Sequence, residues 1–390
     1  MKILHTSDWH VGRRLGRHDR AEEYRDVLAE VVRVADEETV DLVLVSGDVF
    51  DRPMPTVDAL TLGLGALVTL AERRPVVAVS GNHDSAELFD ALAPLLRHQG
   101  AGVHLVGTIR RPDEGNLLGP DELGVPAVVA CFPFLREGRV VDFMMEAGQW
   151  YGAYAERVAG ICAAYNRALV ERAGSDLVPV LVAHFMVSGV KVDRSAPRGE
   201  RELHIGDAYT ATPQAVPPGP QYVAMGHIHA PQPVPSAPVP AEYAGSLLSL
   251  DFGEAGEQKR VVIVEAEPGR RAVVRSVPLK AGRRLVRVTD TWDAMAGRVG
   301  ELADAYLDLT VRTTATDTGL AERAREAFPY LVNVRAHRPA AERGERFVKG
   351  HRSWPELYVD YFRSEHAEEP PDDLLMLLRE VLEEAADASA

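Results

Sequence analysis

The sequence predicts an α/β protein, with a layered core over 1–275, a smaller α+β module over 276–345 and a helical tail over 346–390. Three observations carry this. Up to about residue 265, short apolar β-rich runs alternate with longer segments of helical period, as in a sheet covered by helices. Several of those runs are apolar at every position, which is expected of strands buried on both faces. From Lys280 a second strand–helix–strand–helix–strand pattern begins, and 390 residues exceed what one domain ordinarily holds.

Strands are expected at Lys2–His5, Leu42–Val45, Pro75–Val79, Val125–Phe134, Pro179–Ala183, Tyr222–Met225, Glu242–Ala244 and Arg260–Val264. Asp19 is placed to cap a helix in which Tyr24, Val27, Leu28, Val31 and Ala35 recur three and four apart. Leu60, Leu64 and Leu67 mark a second helix, and Ser85 caps a third that carries Leu88, Leu92 and Leu95. The later module reads strand Leu285–Val288, helix Trp292–Ala305, strand Leu307–Val311, helix Leu320–Ala327 and strand Leu331–Val334. The run Pro231–Pro240 is a surface loop. Near the end, Trp354 to Phe362, with Leu357, Tyr358, Tyr361 and Phe362, and, after Pro370-Pro371, Leu374 to Leu382 are expected to form two short amphipathic helices. Neither can bury its apolar face alone, so each folds back or waits for a partner; the intervening prolines and acids favour the partner.

A composition of 46% hydrophobic and 26% charged residues excludes collagen-like and wholly disordered chains. No apolar run approaches the ~20 residues of a membrane helix, and the first residues lack a signal peptide's apolar stretch, so a soluble, cytoplasmic protein is expected. The two cysteines, Cys131 and Cys162, lie in apolar surroundings and read as small hydrophobes. The net charge of -15 argues against nucleic acid as a partner, but the average hides two opposed regions. From Glu365 to Ala390 nine acids face one base, whereas Arg270–Arg287 holds seven bases and no acid. Arg335–Arg352 adds six bases against two acids.

The chemistry sits just past the strands. The first is followed by Asp8-Trp9-His10, the second by Gly47-Asp48-Val49-Phe50-Asp51, the third by Gly81-Asn82-His83-Asp84, and later ones by His184 and by Gly226-His227-Ile228-His229. Sites in α/β sheets form beyond the carboxyl ends of the strands, so these loops are expected to converge. Carboxylates, imidazoles and a carboxamide without thiolate suit Mn, Fe or Zn in a mixed oxygen and nitrogen shell. Two divalent cations against Asp8 and Asp48 leave excess positive charge, which favours a phosphate substrate attacked by an activated water. Asp48, with two oxygens to share, is the natural bridge. His83 is free to donate to the phosphate or leaving oxygen, with Asp84 beside it to hold its tautomer.

These motifs, in this order over the first 229 residues, resemble the calcineurin-like metallophosphoesterase superfamily. Asp8-Trp9-His10-Val11-Gly12, Phe132-Pro133-Phe134-Leu135, Gly226 to Gln232 and Tyr243 to Glu254 resemble its DNA-repair nuclease subunits in particular. The resemblance implies a layered β-sandwich flanked by helices. It implies that Asp8, His10, Asp48 and His229 hold one metal and Asp48, Asn82, His184 and His227 the other, with His83 catalytic and Mn²⁺ the usual ion. It further implies a DNA substrate cut by exonuclease and endonuclease action, a DNA-facing cap after residue 275, a homodimer, and a coiled-coil ABC ATPase docked on the terminal helices.

Read alone, each motif has a plainer meaning. A single DxH or GNHD is more often a turn, and His184, standing by itself, also fits a satisfied core histidine. Asp51 supports a ligand, and Trp9 packs. Arg13, Arg14, Arg17, His18 and Arg20 suit a phosphate backbone or a solvated face. Two rival functions follow from the same residues, a phosphoesterase for small substrates and a non-catalytic tether between DNA and an ATPase.

Overall fold

The computed structural model describes residues 1–98, 102–136, 154–191, 210–313 and 319–337, with short stretches within 358–378. The chain divides into a compact unit Met1–His337 and a second unit Arg338–Ala390. Most of the expected terminal helices and of the basic run Arg335–Arg352 lie outside the described residues.

In the first unit the chain runs β1 (Lys2–Thr6), α1 (Ala21–Glu37), β2 (Leu42–Val45), α2 (Val57–Ala71), β3 (Val76–Val79), α3 (Ala86–His98) and β4 (Val103–Val106). It continues through β5 (Leu117–Leu118), α4 (Pro120–Leu123), β6 (Ala127–Phe132), α5 (Tyr154–Ala173), β7 (Val178–His184), β8 (Met186–Val187) and β9 (Thr210–Ala211). Then come β10 (Tyr222–Gly226), β11 (Gln232–Pro233), β12 (Ala241–Tyr243), β13 (Arg260–Glu265) and β14 (Val273–Pro278). Two six-stranded sheets result, ordered β14-β13-β1-β2-β3-β4 and β11-β12-β10-β7-β6-β5.

The all-apolar strands divide their side chains between two cores. In β2, Leu42 and Leu44 enter the layer between the sheets while Val43 and Val45 face the helices; in β6, Val129 and Cys131 face inward while Val128, Ala130 and Phe132 meet α5. A period of two therefore operates beneath a uniformly apolar sequence. The outcome is helices, sheet, sheet, helices, the layered sandwich expected. Strands β1 to β4 run parallel, as do β6, β7, β10 and β12, so in each sheet the carboxyl ends of the parallel strands share one edge.

Several details differ from expectation. Val103–Val106 is a strand of the first sheet, hidden in the sequence by its length of 4 residues and by His104. Asp19 accepts the Ala21 N–H at 2.8 Å, but the N-cap position of α1 belongs to Arg20, whose guanidinium goes elsewhere. The expected helix Trp292–Ala305 is two pieces, α6 (Trp292–Ala296) and α7 (Val299–Leu302), because Gly297 ends the first. Around them β15 (Arg284–Asp290), β16 (Ala305–Arg312), α8 (Leu320–Ala327) and β17 (Leu331–His337) build a three-stranded sheet ordered β15-β16-β17. All three strands are parallel, with the helices lying between them in the alternating order expected. The charged segment before it contains the edge strand β14, paired antiparallel to β13.

Glu23 joins the module to the core. Its carboxylate accepts from Arg20 at 3.0 Å, from the Tyr306 hydroxyl at 2.6 Å and from the Arg283 N–H at 2.9 Å. The Arg283 guanidinium lies 3.6 Å from the Tyr330 ring centre. Tyr306→Phe removes one donor from this buried carboxylate and should lower stability by about 1–3 kcal/mol, read by chemical denaturation. An unchanged midpoint would mean that Glu23 is not the joint.

Candidate metal centre

Four of the predicted site residues have left-handed backbone, at φ of 50° for Asp8, 49° for His10, 51° for Asp48 and 104° for His227. Such conformations cost about 1–3 kcal/mol each away from glycine and persist where the surroundings impose them. Here the surroundings are the strand ends. Beyond β1 and β2 the chains stay paired, Asp8 N–H donating to Gly47 O at 3.0 Å and His10 N–H to Asp48 O at 2.9 Å, so the side chains swing off the sheet edge into one hollow.

The glycines of the motifs give this hollow its room. Gly47 is itself left-handed at φ 95°, and a Cβ there would meet His184. A Cβ on Gly81 would lie 2.1 Å from Asp48 Oδ1, and one on Gly226 would lie 1.9 Å from the Ser46 carbonyl oxygen. Gly226→Ala should therefore destabilise the fold by about 1–3 kcal/mol or more, measured by urea unfolding, because backbone rather than a pliant side chain stands in the way. Wild-type stability in that variant would show that the strand ends are looser than described.

The expected donors come together from both sheets. Asp8, His10 and His229 form one group with donor atoms within 4.8 Å of one another, and Asp8, Asp48 and His184 form another. A third joins His10, Asp48 and His83. Asp48 Oδ2 stands 3.6 Å from His10 Nε2 and 3.5 Å from His184 Nε2, between the two sides of the hollow. Asn82 Oδ1 lies 2.9 Å from His184 Nε2 and 2.8 Å from His227 Nδ1. His10 Nε2 and His229 Nε2 face each other at 3.1 Å.

Protonation follows from the partners. His184 Nδ1 is 2.8 Å from the Ser46 carbonyl oxygen, so Nδ1 carries the hydrogen and Nε2 offers a lone pair toward oxygens of Asn82 and Asp48. His229 Nδ1 is 3.1 Å from Glu254 Oε1, which leaves Nε2 bare in the same way. Burial pulls the His184 pKa down to about 3 and His10 well below its usual value, so these rings are neutral donors of electron pairs. Asp48 is pushed well above the ordinary carboxylate range, first by burial and then by the charges of Asp84 and Asp8. Lone pairs and buried carboxylates aimed at one another repel unless a cation lies among them, and the donor set fits divalent metal.

Contrary to expectation, Asp84 does not hold the His83 ring. Its carboxylate accepts the N–H groups of Val49 at 3.1 Å, Phe50 at 2.9 Å and Gly81 at 2.9 Å, and so fastens the β2 loop to the β3 loop. Backbone donors are what a fully buried carboxylate needs; burial still raises its pKa, to about 6. The group that orients His83 is the Asp51 carbonyl oxygen, 3.0 Å from Nδ1, while the His83 N–H donates to Asp48 Oδ1 at 2.8 Å. Asp51 also takes Arg13 at 3.1 Å. Trp9 is fully buried and donates to Thr6 Oγ1 at 2.9 Å, the packing role expected.

The sequence reading missed the groups behind the donors. Ser46 holds His184 through its carbonyl, and its hydroxyl lies 2.8 Å from His5 Nε2, whose Nδ1 lies 2.8 Å from the Tyr222 hydroxyl. Phe134 stacks against His227 at 6.0 Å between ring centres. Glu254 sits behind His229, and Lys259 at 2.6 Å from it keeps it ionised against the pull of burial. Of these, Glu254 and Phe134 lie in segments singled out by resemblance, but no spacing tied them to a ligand.

The calcineurin-like phosphoesterase family model matches residues 1–231, which contain every proposed donor. The chain is similar to the D subunit of the nuclease SbcCD from Bacillus subtilis, 31% identical over 401 aligned residues that span 97% of this chain and 96% of that protein. It is 30% identical over 354 aligned residues to the corresponding D subunit of the nuclease SbcCD from Rhodobacter capsulatus, spanning 88% of this chain and 82% of that one. Among the described residues no helix is long and apolar enough to cross a membrane. By motif, layered fold and similarity along nearly its whole length, the chain belongs to the calcineurin-like phosphoesterases and, within them, to the family of SbcD nuclease subunits.

Proposed function

We propose that the protein is a Mn²⁺-dependent DNA phosphodiesterase, the nuclease subunit of an SbcCD-type complex acting in DNA repair, recombination and replication. The observation that carries the reading is the place of Asp48, whose one oxygen is 3.6 Å from the His10 ring nitrogen and 3.5 Å from that of His184. Asp8, His10, His229 and Asp48 would hold one cation, and Asp48, Asn82, His184 and His227 the other. When bound, such a pair activates water and stabilises charge on the attacked phosphoryl group.

The residues of the chain do the rest. Asp48 and Asn82 fix the spacing of the two sides. His83, held through Nδ1 by the Asp51 carbonyl, presents Nε2 to the substrate and exchanges a proton with the phosphate or leaving oxygen. A cleft of about 570 Å³ beside the centre is lined by Arg13, Arg14 and Arg52, which pair with Asp51, Asp19 and Asp51 but keep part of each side chain exposed to a continuing polyanion. The basic run before the module is paired in the same way. Arg270 pairs with Glu267, Arg275 with Glu38, Arg283 with Asp304, and Arg287 with Asp308, so much of that charge is already neutralised.

In this reading, double-stranded ends are digested exonucleolytically and hairpins or single strands are opened endonucleolytically. The module after 275 caps the DNA, two copies of the chain form a homodimer, and the terminal helices dock an SbcC-type coiled-coil ABC ATPase. The test is cleavage of end-labelled duplex and hairpin DNA with Mn²⁺, with and without that ATPase, beside a small phosphodiester. Cleavage of both DNA forms is expected. Turnover of the small ester alone, with DNA untouched even in the complex, would make this a small-substrate phosphoesterase.

A further inference from the structure

His229 is held at both ends. Its Nδ1 lies 3.1 Å from Glu254 Oε1, and its carbonyl oxygen accepts from the Ser246 N–H at 3.1 Å and from Lys259 Nζ at 3.2 Å. Glu254 is held in turn. Its other oxygen takes Lys259 Nζ at 2.6 Å, Ser246 Oγ at 3.1 Å and the Leu250 N–H at 3.1 Å. A carboxylate bonded to the far nitrogen of a ligand imidazole fixes the ring's tautomer and direction, and losing such a partner commonly weakens metal binding about 10–100-fold.

The second observation concerns what else this glutamate is attached to. Glu254 ends a single 3₁₀ turn, Phe252–Glu254, started by Asp251, whose Oδ1 accepts the Gly253 N–H at 2.6 Å. Phe252, two residues before Glu254, is buried in a small apolar cluster with Leu285 and Tyr306 of the module and Leu15 of the core. Just upstream, Arg20 donates to the Ser249 carbonyl at 2.7 Å while it also grips Glu23, the carboxylate bonded to Tyr306. The stretch from Ser249 to Glu254 is thus fastened to the module at one side and to His229 at the other. Only Gly253 lies between Phe252 and Glu254, so a shift of Phe252 reaches the carboxylate across a single residue.

We propose that Glu254 is a positioning residue for His229, and that the Phe252–Glu254 turn makes the aim of this donor depend on how the module is seated on the core. The inference rests on the reading of His229 as a metal ligand. It accounts for the burial of Glu254 and Lys259 together behind His229.

The test uses the full chain titrated with Mn²⁺ alone, free ion being followed by electron paramagnetic resonance, for wild type, Glu254→Gln, Phe252→Ala, Phe252→Leu and the double variant Glu254→Gln with Phe252→Ala. Melting of the metal-free proteins shows which remain folded; should Phe252→Ala melt early, Phe252→Leu carries the comparison. Glu254→Gln should weaken one of two bound cations about 10–100-fold. Phe252→Ala, which removes no donor, should weaken the same cation by at least about twofold, Phe252→Leu less, and the double variant should fall short of the product of the singles. Unchanged affinity in Glu254→Gln overturns the positioning role. An effect of Glu254→Gln with none of Phe252→Ala, or with the two simply multiplying, overturns the link to the module. A wild-type chain that takes up no Mn²⁺ overturns instead the metal reading on which both rest.

Discussion

His83→Ala is expected to lower the rate of phosphodiester cleavage by about 10²–10⁴-fold while leaving two Mn²⁺ per chain bound. The reason is geometric. His83 is fastened from behind, its Nδ1 on the Asp51 carbonyl and its N–H on Asp48, so the ring is oriented without needing a cation. Its pKa is lowered chiefly by burial, and the ring is therefore a neutral proton carrier rather than a fixed charge. Steady-state cleavage set beside a metal titration separates two failures. Equal rates would remove His83 from the chemistry, and loss of a cation would move it among the ligands, a role its grouping with His10 and Asp48 makes worth testing.

Asp48→Asn should have the broader effect, because one oxygen serves both sides of the hollow. Both cations should be lost together, with affinity falling at least about 100-fold, and cleavage with them. The metal-free protein should at the same time become more stable. A carboxylate whose folded-state pKa is raised destabilises the fold once pH exceeds its unfolded value, and Asp48 is raised by burial and by its neighbours Asp84 and Asp8. The asparagine keeps an oxygen for the His83 N–H and brings no charge. Melting curves with and without Mn²⁺ should therefore cross: wild type lower when metal-free and higher when loaded, Asp48→Asn unmoved by the ion. Loss of one cation alone would place Asp48 on a single side.

Much of the site was legible because its signals are local. Glycine before aspartate, asparagine or histidine at the end of an apolar run indicates a tight exit from a strand, and Gly47, Gly81 and Gly226 prove to lie where a Cβ would strike Asp48, His184 or the Ser46 carbonyl. The supporting groups were hidden because they act across the fold. Ser46 and His184 meet from different sheets, 138 residues apart in sequence, and nothing in either segment announces the other. Asp84 was misjudged for the opposite reason. Its neighbour in sequence is His83, yet the turn sends its carboxylate to the N–H groups of a loop 34 residues earlier. The small strand Val103–Val106 and the break at Gly297 show the usual weakness of periodicity in short elements.

The proposed chemistry requires one cluster of donors to hold two cations with Asp48 between them. Anomalous scattering at the manganese edge from crystals of the loaded protein tests this most directly. Two peaks about 3.5–4 Å apart are predicted, one beside Asp8, His10 and His229, the other beside Asn82, His184 and His227. A single peak, no peak, or peaks away from Asp48 would contradict it.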